Sequence, residues 1–153
     1  MNTIIRNQMQ LMNNLLSYRT RVEAFRLADL IRFVSENIDA MDFVQSGDIV
    51  FSILEEINEP NNSILDVELL IPVDRQFKSN VHYVFKPVFK LENAVMLKYC
   101  GKFSEVTSAA GVLLEYLMKN HMQMITKVYY VVRTLQDDTG VVDIMAGVNG
   151  NYV

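Results

Sequence analysis

The sequence predicts an α+β fold in which two β-α-β-β repeats form one curved antiparallel sheet with two long helices. Three observations lead there. Apolar residues recur at helical spacing over residues 104–120, β-rich runs flank that stretch on both sides, and the same order of elements is found earlier in the chain. A chain of 153 residues, 50% of them hydrophobic, is long enough to bury a core and fold as a single domain, 1–153.

From the N-terminus, residues 4–12 fit either a strand or a short helix, because Met9, Leu11 and Met12 suit both. Residues 15–18 read as extended, 22–38 as helical and 48–57 as a strand. The run Asn58, Glu59, Pro60, Asn61, Asn62 supplies turn chemistry before a strand over 65–73. Residues 74–80 form a polar connector. Residues 81–89 then read as a further strand, in which Pro87 favours an edge or bulged position.

The second half is plainer. Residues 94–99 read as a strand, and Cys100, Gly101 and Lys102 as its turn into a helix. In that helix Val106, Ala109, Ala110, Leu113, Leu114 and Leu117 fall on one stripe, with Ser104 as N-cap and Asn120 as exit. Residues 127–135 are rich in β-branched and aromatic side chains, 136–140 make a turn, and 141–148 return as a strand. Superposing the halves places Tyr18 on Tyr99, Ala28 on Ala109, Ile31 on Val112, Val50 on Val131 and Leu54 on Leu135, an offset of about 80 residues. Asp66-Val67 falls on Asp143-Ile144. The repeats run over about 1–74 and 81–149.

Composition narrows the function. The net charge of −4 comes without a basic stripe, since only Arg19, Arg21 and Arg26 lie close together, so a nucleic-acid partner is not expected. Apolar runs fall short of the ~20 residues that a membrane-spanning helix needs, and Arg6, Asn7, Gln8 and Gln10 interrupt any secretory leader. One cysteine, Cys100, builds no intrachain disulfide, and a cytoplasmic location is the expectation. His82 and His121 lack neighbouring Cys or carboxylates at ligand spacing, so neither a metal nor a cofactor is expected. Cys100 reads as a buried structural thiol, and Glu55-Glu56 and Asp137-Asp138 are not placed for general acid/base work, so no catalytic residues are assigned.

The stretch Ala94-Val95-Met96-Leu97-Lys98-Tyr99-Cys100-Gly101-Lys102-Phe103-Ser104-Glu105 resembles the strand, Gly-aromatic turn and second long helix of the gyrase-inhibitor-like (GyrI-like) effector-binding domains. Tyr129-Tyr130 and the stretch from Leu65 to Pro72-Val73 are similar too, so the resemblance spans nearly the whole length. It implies a groove for small, often cationic or aromatic molecules. The drug-binding members neutralise a cation with a buried glutamate in the strand after the second helix. Here Lys127, Val128, Tyr129 and Tyr130 fill that stretch and the chain has no Trp, which turns the expectation toward a neutral or anionic ligand. A weaker resemblance is to small proteins that accompany type VII secretion loci of Gram-positive bacteria.

Strand alternation selects the groove residues. With Ile49, Phe51 and Ile53 facing the helix-covered core, Ser52 and Glu56 face away. The repeat then puts Tyr130, Val132 and Thr134 in the core and Tyr129, Val131 and Arg133 on the groove side. Tyr129 and Arg133 lead the candidate ligand-binding set, joined by Tyr99, Glu56, Glu68 and Ser52. The plain alternative is that these tyrosines and charges solvate a sheet face. The function expected is a stand-alone small-molecule (effector) binding domain without a DNA-binding module. The competing reading is a protein-binding adaptor or accessory protein, linked to type VII secretion, that would use the sheet or the methionines Met118, Met122 and Met124. An enzyme ranks third.

Overall fold

The computed structural model describes residues 3–149. The fold is of the expected α+β class, with antiparallel strands and two helices. Its elements are β1 (Thr3–Glu23), α1 (Leu27–Asn37), β2 (Val50–Glu59), β3 (Asn62–Pro72), β4 (Val84–Lys102), α2 (Val106–Lys119), β5 (Met124–Gln136) and β6 (Thr139–Val148). They group into two compact units. One is Met12–Phe89, and the other joins the segment before it to the chain from Lys90 onward.

In the first unit β3 is the central strand, antiparallel to β1 from Leu15↔Pro72 to Glu23↔Ile64 and to β2 from Val50↔Leu70 to Glu59↔Asn62. Val67, Leu69 and Ile71 are wholly buried and alternate with the partly polar series Asp66, Glu68 and Leu70. α1 buries Leu27, Ala28 and Ile31. The helix expected from residue 22 starts at Leu27, because Val22 and Glu23 stay in β1 opposite Leu65 and Ile64. A paired, β-branched strand end outweighs the helical spacing there.

The second unit is built around β6, antiparallel to β4 from Ala94↔Gly147 to Lys102↔Thr139 and to β5 from Met124↔Val148 to Gln136↔Thr139. The β5–β6 turn falls at the expected place, with Asp137 in the left-handed region at φ 53°. α2 buries Val106, Ala109, Ala110, Leu113 and Leu117, whereas Leu114 is exposed. Ser104 is not the N-cap, since a 3-10 turn, Phe103–Glu105, precedes α2 and the residue capping it is Glu105, without a side-chain bond. Asn120 ends the helix as expected, its amide Nδ2 donating to the Tyr116 carbonyl at 2.8 Å. The ambiguous N-terminal segment is strand. Its Arg6 donates to the Tyr116 hydroxyl at 2.7 Å and to Asn120 Oδ1 at 3.1 Å, fastening it to the end of α2. The two runs expected at 81–89 and 94–99 are one strand, β4, in which Asn93 takes a left-handed turn at φ 49°.

Candidate functional site

Within the unit Met12–Phe89, a half-open cavity of about 420 Å³ lies beside α1. Its helix wall is Leu30, Phe33, Val34, Asn37 and Ile38, spaced so that they share one stripe of α1. Leu16 and Tyr18 come from β1, two residues apart and therefore on one face. The remaining wall is His82 and Tyr83, with Ala40 and Met41 closing the end after α1.

The loop carrying His82 and Tyr83 is held by Asn80. Its Oδ1 accepts the backbone N–H of His82 at 2.7 Å and of Tyr83 at 2.9 Å, while its own N–H donates to the Tyr83 carbonyl at 2.9 Å. Tyr83 stands tilted against Tyr18, ring centroids 6.4 Å apart, and against His82 at 6.1 Å. Among the described residues no Asp, Glu, Lys or Arg lines the cavity. Asn37 spends its Nδ2 on the Phe33 carbonyl at 2.7 Å.

The opposite face of the same three strands is polar. Ser17 Oγ donates to Glu68 at 2.5 Å, and Lys86 Nζ meets the same carboxylate oxygen at 2.6 Å. Arg19 forks onto Asp66 through Nε at 3.1 Å and an η nitrogen at 2.8 Å. Ser52 lies directly across from Glu68, so the two expected residues do share a face; its buried Oγ makes no hydrogen bond among the described residues. A β-bulge between Ile53 and Glu55 shifts the register beyond them. Glu55 pairs with Asp66 on the polar face, and Glu56 pairs with Leu65 on the other.

In the second unit Tyr129 is half-buried opposite Met145 on β6. Arg133 lies at the bulge between Val132 and Thr134, where its Nε donates to Asp143 Oδ2 at 2.7 Å and an η nitrogen donates to Gln10 Oε1 at 3.0 Å. That bulge also leaves Thr134 exposed rather than in the core. Tyr99 pairs with Val142, on the face opposite Lys98 and Asp143, and its buried hydroxyl donates to the Lys102 carbonyl at 2.5 Å. Burial, followed by the charges of Glu105, Cys100 and Asp138, raises its pKa. Cys100 is exposed, not the buried thiol expected. Tyr99 is thus separated from Tyr129 and Arg133 by the sheet of its own unit, while Ser52, Glu56 and Glu68 belong to the other unit.

The cavity residues escaped the sequence reading. Tyr18 reads there as a plain strand residue, and His82 is considered only as a metal ligand. The available signal was the concentration of aromatic and amide side chains in Asn80, His82 and Tyr83 after a polar connector. Among the described residues no group of three or more His, Cys, Asp and Glu gathers as a metal site would require.

The Arg19–Asp66 pair carries a pH prediction. The hydrogen bond from Arg19 is the main cause that holds the Asp66 carboxyl below its ordinary pKa, against the opposing effect of burial. A carboxyl depressed in the fold contributes stability above its unfolded pKa, and that contribution is lost as pH falls through the folded value. Asp66→Asn is therefore expected to be less stable than the parent at pH 7 and to converge on it below about pH 4. Urea denaturation of both proteins at neutral and acid pH measures this. The guanidinium is 64% exposed, so the gap at neutral pH is small and narrows further with salt.

Comparison with solved structures bears on the whole fold. The chain is similar to the C-terminal domain of EcmrR at 15% identity and TM-score 0.64, covering 97% of this chain and 98% of that one. It is similar to EcmrR in its complex with DNA at 12% identity and TM-score 0.67, again over 97% of this chain but only 57% of that longer one. A hydrolase from Listeria innocua, encoded by lin2189, matches at 11% identity and TM-score 0.52, covering 97% of this chain and 91% of that one. At these identities the likeness is one of fold. No family model matches the sequence, and no curated protein matches it significantly. No helix among the described residues is long and apolar enough to cross a membrane.

Proposed function

We propose that this chain is a small-molecule-binding domain of the effector-binding kind, acting in the cytoplasm, with its site in the cavity beside α1. One observation carries the reading: a concavity of about 420 Å³ whose walls are apolar and aromatic, with a few polar tips. That is the usual make-up of a ligand site, and the volume sits inside the ~300–1,000 Å³ range of such sites. The likeness of the fold to the EcmrR C-terminal domain supports the same reading. Tyr129 and Arg133 take a secondary place in it, because the guanidinium already meets a carboxylate at 2.7 Å and an amide at 3.0 Å.

The test is a thermal-shift screen of the protein against small molecules of differing charge. A ligand that binds only the folded state raises its melting temperature. The expected result is a shift that Tyr83→Ala or Val34→Phe abolishes and Tyr129→Ala leaves intact. A shift lost only in Tyr129→Ala or Arg133→Ala moves the site to the second unit. No shift with any compound contradicts the reading.

A further inference from the structure

We infer that the α1 cavity selects uncharged, flat aromatic molecules carrying a polar group at one edge. The inference rests on the small-molecule reading above and adds the chemical class of the ligand.

Charge is decided by what the lining lacks. Among the described residues that line the cavity there is no carboxylate, ammonium or guanidinium. An ion entering it gives up water without meeting a counter-charge, whereas a neutral ring gives up very little. On the opposite face of the same strands the charges are paired with one another: Arg19 bonds Asp66, and Glu68 accepts from Ser17 and Lys86.

Shape is decided by the two long walls. On one side α1 offers Leu30, Val34 and Ile38, aliphatic groups one helical turn apart. Across from them stand Tyr18 and Tyr83, inclined to each other by 51°. A planar ring between an aliphatic stripe and aromatic rings gains burial on one face and offset or edge contacts on the other. Asn80 fixes the second wall through two backbone hydrogen bonds, of 2.7 and 2.9 Å, so little ordering is required on binding.

The polar edge follows from the remaining donors and acceptors. The Tyr18 and Tyr83 hydroxyls and the His82 imidazole each offer both functions in their neutral forms. Asn37, which also lines the cavity, commits an N–H to the Phe33 carbonyl and carries an amide oxygen that can accept. A hydroxyl or ring N–H on the ligand matches these groups, and an all-carbon ring leaves them unused.

Calorimetric titration of the whole protein with three probes of one size tests this: 2-naphthalenemethanol, 2-naphthylmethylammonium and 2-naphthoate. The neutral alcohol is expected to bind about tenfold or more tighter than either ion. It should lose that binding in Tyr83→Ala and in the cavity-filling Val34→Phe, and keep it in Tyr129→Ala. Either ion binding as tightly as the alcohol, with the same sensitivity to Tyr83→Ala, overturns the class of ligand and leaves the cavity as the site. Binding of the alcohol that Val34→Phe and Tyr83→Ala both leave untouched, or no binding of any probe, overturns the cavity itself. Far-UV circular dichroism of each variant confirms that a lost signal is not a lost fold.

Discussion

Replacing Phe103 with Ala is expected to lower the free energy of unfolding by about 3–5 kcal/mol, the range for truncating a buried Phe. Phe103 is only 2% exposed although it belongs to a 3-10 turn. Its N–H donates to the Asp138 carbonyl at 2.7 Å, which ties the lead-in of α2 to the β5–β6 turn. Its ring lies 3.3 Å from where a Cβ on Gly140 would stand. Gly140 faces Gly101 across the β4–β6 pair, and the same Cβ position falls 2.8 Å from the Thr134 carbonyl oxygen. The turn thus gives room for the ring and little else, and the void left by Ala does not close by a shift of the strands. Urea denaturation measures the loss. Phe103→Leu should retain most of the stability, and a loss under about 1 kcal/mol in the Ala variant contradicts this packing.

The second large effect is at Arg133. Asp143 is 4% exposed, and its Oδ2 accepts from the guanidinium while Oδ1 has no hydrogen bond among the described residues. Arg133→Ala removes that counter-charge from a carboxylate that water barely reaches. Breaking a fully buried pair costs about 3–5 kcal/mol, and with the Arg133 side chain 33% exposed we expect about 2–3 kcal/mol here. The partner change separates a structural role from a ligand-binding one. Adding Asp143→Asn to Arg133→Ala should restore much of the lost stability, because no charge is then left stranded. Additive losses in that cycle contradict the pairing. The result also guards the binding screen, where Arg133→Ala lowers the melting temperature with or without a ligand.

The elements were legible where one periodicity had no rival. α2 and the β5–β6 hairpin sit within a few residues of where the sequence puts them, because their apolar stripe and turn residues all favour one structure. Residues 22–26 were not, since their spacing suits a helix while Val22 and Glu23 have strand partners that only the folded chain supplies. Bulges are the other blind spot. Strict alternation puts Glu56 beside Ser52 and Thr134 in the core, but one extra residue after Ile53 and another after Val132 turn both side chains over.

The candidate site was less legible than the fold. Tyr129 and Arg133 are findable because they sit on a recognisable strand, yet the sequence gives no sign that Asp143 and Gln10 already engage Arg133. The cavity is assembled from a helix stripe, two residues of β1 and a loop pinned by Asn80. Leu30, Val34 and Ile38 lie within the helix read over 22–38, and nothing in their spacing tells that part of their stripe is left uncovered in the fold.

The most direct test of the central claim is a backbone amide NMR titration of the protein with 2-naphthalenemethanol. The account predicts perturbations gathered on Leu16, Tyr18, α1, His82 and Tyr83, with Tyr129 and Arg133 unmoved. Perturbations centred on Tyr129 and Arg133 instead, or none at saturating probe, contradict it.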